Sequence, residues 1–268
     1  MSLRRIINAR AARPMPLPEA CGSRRVRLSR ARVPALFGLV AASVAHAGNG
    51  SVPGDSSGAP VEDDHVYVHA VLDELEGRFG GGPEAALRWE GEAWAGTDTQ
   101  RLWLKSEGQA RDGQTQGAQH ELLYAHPVSE FFDLQAGLRY DLDSRAGRGW
   151  AAVGIEGLAP QFFKLSLTAY ASDGGHLAAK LRVSRELLLT QRLILESTLE
   201  VNGYTRSDPA RGVGAGLSDL EAGLRLRYEI SRKFAPYGGV VLARDRGPGS
   251  VAGGATHWRF ALGLRAWL

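Results

Sequence analysis

Long segments of strict alternation dominate this sequence from about residue 64 to its end. In the last segment every even position from Trp258 to Leu268 is apolar, whereas the odd positions include His257, Arg259 and Arg265. Residues 132–142 and 220–230 repeat the pattern. Successive side chains of a β-strand point to opposite faces, so each segment has one apolar and one polar face. The pattern therefore predicts an all-β fold.

The alternating segments are evenly spaced and even in number. Connections between them alternate between short turns and longer, glycine-rich loops. An even strand count with this alternation is typical of transmembrane antiparallel β-barrels, and it predicts that both chain ends lie on the periplasmic side. The twelve predicted strands lie near 65–78, 85–97, 100–111, 117–128, 131–143, 148–158, 162–173, 176–189, 192–206, 216–230, 234–246 and 256–268.

A soluble sandwich or lipocalin-like barrel would also alternate, with its apolar face inward and its charged face in water. Two features favour the membrane barrel. The segments are longer than the roughly 5–6 residues usual for soluble strands. The final strand carries Trp258, Phe260, Trp267 and Leu268, and resembles the terminal strand of outer-membrane barrels. We therefore assign residues 64–268 to an outer-membrane barrel of about 12 strands, in contact with lipid.

Residues 1–47 have the features of a signal peptide. They hold nine arginines and one acid, and without them the chain has 23 basic and 28 acidic residues, a formal net charge of −5. A basic segment at Arg24–Arg32 precedes an apolar run at Val33–Val44 and the sequence Ala45-His46-Ala47, which predicts export with cleavage after Ala47. Twin-arginine export through Arg24 and Arg25 is the alternative. Because the basic charge lies in this segment, no nucleic-acid partner is expected.

Residues 48–63 are rich in glycine, serine, proline and aspartate, and predict a flexible periplasmic linker. Cys21, Met1 and Met15 all precede the predicted cleavage site. The mature chain would contain no sulfur, which excludes disulfides and thiol catalysis.

Several blocks of the barrel region resemble the copper resistance protein B family. They include Asp64–His69, Arg101–Gly108, Asp133–Arg139, Leu187–Leu195, Gly216–Ile230 and Phe234–Tyr237. The resemblance implies an outer-membrane protein of a copper-resistance system, with copper as a bound or transported ion, working beside a periplasmic multicopper oxidase. Members of that family often carry a methionine- and histidine-rich segment before the barrel. Here Gly48–Glu62 contains neither residue.

Histidines and carboxylates are the remaining candidate copper ligands, since imidazole suits Cu(II). The predicted metal residues are Asp64, His65, His69, His120 and His126. In a strand His65 and His69 would share a face about 13 Å apart, too far for one ion. In an irregular segment they would lie about 5–6 Å apart and could chelate. His120 and His126 share the same parity. The alternative is that these are polar side chains near the mouth of the lumen.

The polar faces of the strands carry many charges of both signs. These allow a cation-handling lumen, because acidic rings favour cations, or an interior in which the charges are paired. The mixed signs favour pairing. The predicted interior charges are Glu90, Glu92, Lys105, Glu107, Arg139, Asp141, Lys180, Arg182, Glu196, Glu200, Glu221, Arg225, Arg227 and Glu229.

No arrangement of residues indicates an enzyme. The predicted barrel contains no Gly-x-Ser-x-Gly, zinc-ligand spacing or phosphate-binding loop. We therefore expect a non-enzymatic outer-membrane copper resistance protein that binds or passes copper ions. The alternative is an outer-membrane pore with no direct metal role.

Overall fold

The structure is a computed structural model that describes residues 65–80, 86–111, 113–142, 147–208, 213–245 and 255–267. The predicted signal peptide, the linker and Asp64 lie outside these residues. The expectations about them therefore stay predictions.

Twelve β-strands make up nearly all of the described chain, as the alternation predicted. The two remaining elements are single 3-10 turns at Pro160–Phe162 and Asp173–Gly175. No helix of the described residues is long and apolar enough to cross a membrane. The strands are β1 (Tyr67–Phe79), β2 (Ala86–Gly96), β3 (Arg101–Arg111), β4 (Gln114–Pro127), β5 (Phe132–Leu142), β6 (Arg148–Ala159), β7 (Phe163–Ser172), β8 (His176–Leu188), β9 (Leu193–Tyr204), β10 (Gly216–Tyr228), β11 (Phe234–Asp245) and β12 (Ala255–Trp267).

Each strand pairs antiparallel with its sequence neighbours, and β1 pairs with β12 to close the barrel. Closure leaves no free sheet edge, which a bilayer requires because hydrocarbon cannot satisfy unpaired backbone groups. With an even strand count, β1 begins and β12 ends at the same end of the barrel, here called the terminal end. The opposite end is called the loop end.

One connection differs from the predicted alternation of short and long. Residues 112–116 were expected to form a loop at the loop end, but β3 reaches Arg111 and β4 begins at Gln114. The backbone at Gly113 and Gly117 has positive φ, at 74° and 62°. Glycine adopts this conformation without steric cost, so β4 can begin at Gln114 and continue through Gly117 where a loop was expected.

The apolar and charged faces lie in the positions that a membrane barrel requires. Leu138 and Phe260 are each 66% exposed on the outside, whereas Glu76 and Arg78 are 0% and 1% exposed in the interior. A soluble barrel would show the opposite arrangement. The outer face is therefore the lipid-contacting surface of a transmembrane barrel.

A β-bulge in β1 changes which residues face the interior. Leu72 pairs with Gly91 of β2, and the next registered pair is Glu74 with Glu90, so Asp73 is an extra residue. The same extra residue interrupts pairing with β12. A bulge places consecutive side chains on one side of the sheet. Asp73 and Glu74 consequently both face the interior.

Candidate functional site: the charged interior of the barrel

A network of buried ion pairs, here called the buried lattice, joins β1 to β10. Arg78 bonds Glu76 at 2.7 Å and reaches both carboxylate oxygens of Glu221 at 2.7 and 2.8 Å. Arg225 bonds Glu76 twice at 3.0 Å and lies 2.9 Å from Glu74. Apart from Glu221 these side chains are at most 6% exposed. Charges this deeply buried need partners, and two-pronged arginine contacts supply them with defined geometry.

The buried lattice continues to β2, β8 and β9. Arg88 lies 3.0 Å from Glu74 and 3.6 Å from Glu200. Arg182 bonds Glu90 and lies 3.6 Å from Glu74. Glu74 thus connects arginines from three other strands, β2, β8 and β10. This part of the interior is filled by a cross-linked set of side chains.

The expectation of a paired interior is confirmed for most of the predicted charges. Thirteen of the fourteen form ion pairs inside the barrel. The exception is Glu229, which follows β10 because that strand ends at Tyr228.

An open cavity, here called the acidic chamber, lies beside the buried lattice. Its space of about 1020 Å³ includes open solvent, and it reaches the terminal end, where Lys164 and Glu186 are 56% and 41% exposed. Nine acidic and five basic side chains line it, a formal charge of −4. The acids are Asp73, Glu74, Glu90, Glu92, Glu107, Glu121, Glu156, Glu186 and Glu196, and the bases are Lys105, Lys164, Lys180, Arg182 and Arg265.

Ion pairs hold the carboxylates of the acidic chamber to different degrees. Lys105 contacts Glu156 at 2.5 Å, and Arg265 bonds Asp73 and Glu186 at 3.0 and 2.9 Å. By contrast, Glu92 lies 3.7 Å from the amino group of Lys164. The lining acids outnumber the lining bases, and part of this excess is balanced by arginines outside the lining. Arg88 and Arg225 pair with Glu74, and Arg227 pairs with Glu186 and Glu196.

A second cavity, here called the vestibule, lies toward the loop end and has the opposite charge balance. Its space of about 610 Å³ includes open solvent, and it is lined by three arginines and two aspartates, with Trp150, Tyr204 and His176 among the other residues. Arg139 bonds Asp141 at 2.7 Å and Arg148 bonds Asp208 at 2.9 Å. The Arg206 guanidinium donates to the carbonyl oxygen of Gly174 at 2.8 Å. The formal charge of this lining is +1 with His176 neutral.

Comparison with known sequences identifies the family of this chain. The model of the family described as "Copper resistance protein B precursor (CopB)" matches residues 66–268. The chain belongs to the copper resistance protein B family. The Escherichia coli copper resistance protein B is 44% identical over 187 residues. The match covers 70% of this chain and 63% of that protein, less than two thirds of its length. A copper resistance protein B homolog from Pseudomonas syringae pv. tomato is 40% identical over 216 residues, with 79% and 73% covered.

A solved outer-membrane barrel shares the fold of this copper resistance protein B family member. The NanC porin superposes with a TM-score of 0.53 at 12% identity, over 74% of this chain and 100% of the porin chain. At that identity the likeness concerns the fold alone. Together with the apolar outer face and the family, it places the barrel in the outer membrane.

The first pair of predicted copper ligands lies at the terminal end. His65 is exposed and precedes β1, and His69 lies within β1. The His69 ring is 6.1 Å from the ring of Trp94, its cross-strand neighbour. The pair therefore borders the end at which the acidic chamber opens.

The second pair lies on β4. Gln119 and Glu121 line the acidic chamber, so His120 between them points to the outer face. His126 lies near the terminal end with Nδ1 2.9 Å from the carbonyl oxygen of Thr99. Within the described ranges, no three His, Asp or Glu side chains are grouped as a metal site.

Several interior residues were not found by sequence reasoning. Arg88 has the same parity as Glu90 and could have been found from it. Glu74, Glu76 and Arg78 were hidden by the bulge, because simple alternation from Tyr67 would send them outward. The adjacent acids Asp73 and Glu74, inside an otherwise alternating segment, are the one sequence signal of that bulge.

Proposed function

We propose that this outer-membrane barrel contributes to copper resistance by binding or passing copper ions through the acidic chamber. The observation that carries the proposal is the chamber's excess of nine acids over five bases at an open end. A cleft lined by one sign of charge raises the local concentration of the opposite ion. Copper is here the cargo of the barrel.

The chemistry of the available ligands favours Cu(II). All cysteine and methionine residues lie in positions 1–21, so the barrel offers only nitrogen and oxygen ligands. Thioethers and thiolates select Cu(I), whereas imidazole and carboxylate accept Cu(II). We therefore expect Cu(II) to bind more tightly than Cu(I).

The terminal end is the proposed entrance, facing the periplasm. His65 and His69, with Asp64 next to them in sequence, would be the first ligands that an ion meets there. A periplasmic multicopper oxidase is the partner implied by the family, and it would meet the barrel at this end. We further propose that the barrel itself is not an enzyme. His120, on the outer face, lies outside the proposed route.

The proposal is tested by titrating the folded protein in detergent with Cu(II) and Cu(I) separately. The double variant His65→Ala/His69→Ala should lose most of the Cu(II) affinity because it removes both entrance imidazoles. The matched control is His176→Ala/His257→Ala, which removes two histidines near the loop end and should leave the affinity unchanged. Absence of binding above buffer would contradict the proposal and leave a pore with no direct metal role.

A further inference from the structure

The acidic chamber and the vestibule meet at one side chain. Of the residues described as lining the two cavities, Gln119 of β4 alone belongs to both. Its cross-strand neighbours are Glu107 on β3 and Asp141 on β5. Glu107 lines the acidic chamber and Asp141 the vestibule. Gln119 therefore stands at the junction between the two cavities.

The amide of Gln119 has an unused acceptor at this junction. Its Oε1 is buried, and no hydrogen bond to it is formed by any described residue. A buried carbonyl oxygen without a donor is uncommon because it has lost its interaction with water. It can compensate by contacting a cation, as backbone carbonyls do in ion-selective pores.

The charge of the interior lining changes from negative to positive at the same junction. Glu121, two residues along β4, faces the acidic chamber and accepts a bond from the Tyr170 hydroxyl at 2.7 Å. Arg139, its cross-strand neighbour, lies on the vestibule side, with its guanidinium 4.5 Å from the Tyr170 ring centre. A cation moving from the chamber would leave acidic walls and meet arginines just beyond Gln119.

We propose that Gln119 forms the constriction of a cation path through the barrel and sets the ion selectivity of that path. The chamber concentrates cations, the Gln119 oxygen takes the place of part of their hydration shell, and the vestibule arginines oppose their exit. The inference rests on the proposed function and deepens it by naming the residue that controls passage. It applies to small cations in general, so it can be tested without copper.

The test is the conductance and reversal potential of the purified barrel in a planar bilayer under a KCl gradient. The wild type should pass K⁺ in preference to Cl⁻. Gln119→Lys should lower K⁺ conductance about tenfold, because a fixed positive charge close to the path repels the ion. Gln119→Glu should keep or increase the K⁺ preference.

The matched control is Gln109→Lys on β3. Gln109 pairs with Arg88, so it faces the same interior, yet it lines neither cavity as described. This variant should conduct as the wild type does. Each variant should migrate differently in electrophoresis before and after boiling, which would verify that it is a folded barrel.

Three results would overturn the inference: a folded wild type that does not conduct, a Gln119→Lys variant with unchanged conductance, or an equal loss in Gln109→Lys. The copper proposal can fail without any of these three conductance results. If the barrel shows Gln119-dependent K⁺ selectivity but no copper affinity, the proposal for Gln119 stands and the copper proposal is wrong.

Discussion

The buried lattice and the acidic chamber are both built from acidic and basic side chains, but the two regions have different roles. In the buried lattice Arg78, Glu76 and Arg225 are at most 3% exposed and each has several charged partners. In the acidic chamber Lys164 and Glu186 are 56% and 41% exposed. A buried, fully paired charge cannot change partners without a large cost, whereas an exposed one is exchanged at little cost. The lattice therefore holds the barrel closed on one side, and the chamber remains able to receive cations.

Replacement of Glu76 in the buried lattice should cost the barrel more stability than any other change proposed below. Glu76→Ala removes the carboxylate that Arg78, Arg225 and Tyr237 share, and leaves two arginines buried without it. Loss of one partner from a buried ion pair costs about 3–5 kcal/mol. Urea unfolding in detergent micelles should show a loss of that size. A loss below about 1 kcal/mol would mean that the lattice does not hold the barrel together.

A smaller loss of stability is expected when a hydrogen bond at the edge of the buried lattice is removed. The Tyr237 hydroxyl donates to Glu76 Oε2 at 3.0 Å, and Tyr237→Phe removes that bond while keeping the ring. A hydrogen bond to a charged group contributes about 1.5–3 kcal/mol. The same unfolding measurement should place this variant between the wild type and Glu76→Ala. Copper affinity should not change, since Tyr237 is outside the described lining of the acidic chamber.

The smallest effect on stability is expected in the acidic chamber. Glu186 is 41% exposed, and Glu186→Gln weakens its ion pairs with Arg265 and with Arg227, which keeps Glu196 as a partner. Exposed pairs contribute about 0–1 kcal/mol, so the unfolding midpoint should barely move. Copper affinity should fall, because the chamber loses one of its nine acids. A large loss of stability with unchanged copper affinity would reverse the roles given to the two regions.

The sequence predicted the architecture well because each strand carries its own signal. Alternation at 131–143 and 216–230 matches β5 at Phe132–Leu142 and β10 at Gly216–Tyr228 to within two residues. The parity of His120 is shared with Leu122 and Tyr124, so its outward direction could also have been read from the sequence. The orientation of the termini relative to the membrane stays a prediction.

The interior could not be predicted to the same depth. One extra residue at Asp73 reverses the faces of all later positions in β1, and its location depends on pairing with β2 and β12 together. Contacts such as Arg78 with Glu221 join residues 143 positions apart. Such partners are fixed by the closure and stagger of the barrel. Alternation predicts that a residue faces inward, but it does not predict which charged side chain that residue pairs with.

The charge of the acidic chamber is proposed to draw copper into the barrel. The decisive measurement is Cu(II) entry into proteoliposomes that contain a metal-sensitive dye, with Glu92→Lys and Glu130→Lys compared to the wild type. Glu92 lines the chamber and lies 3.7 Å from Lys164, whereas Glu130 is exposed in the β4–β5 turn at the same end of the barrel. We expect entry to fall several-fold in Glu92→Lys and to stay unchanged in Glu130→Lys. Equal entry in all three proteins, or wild-type entry no faster than in protein-free liposomes, would contradict the claim.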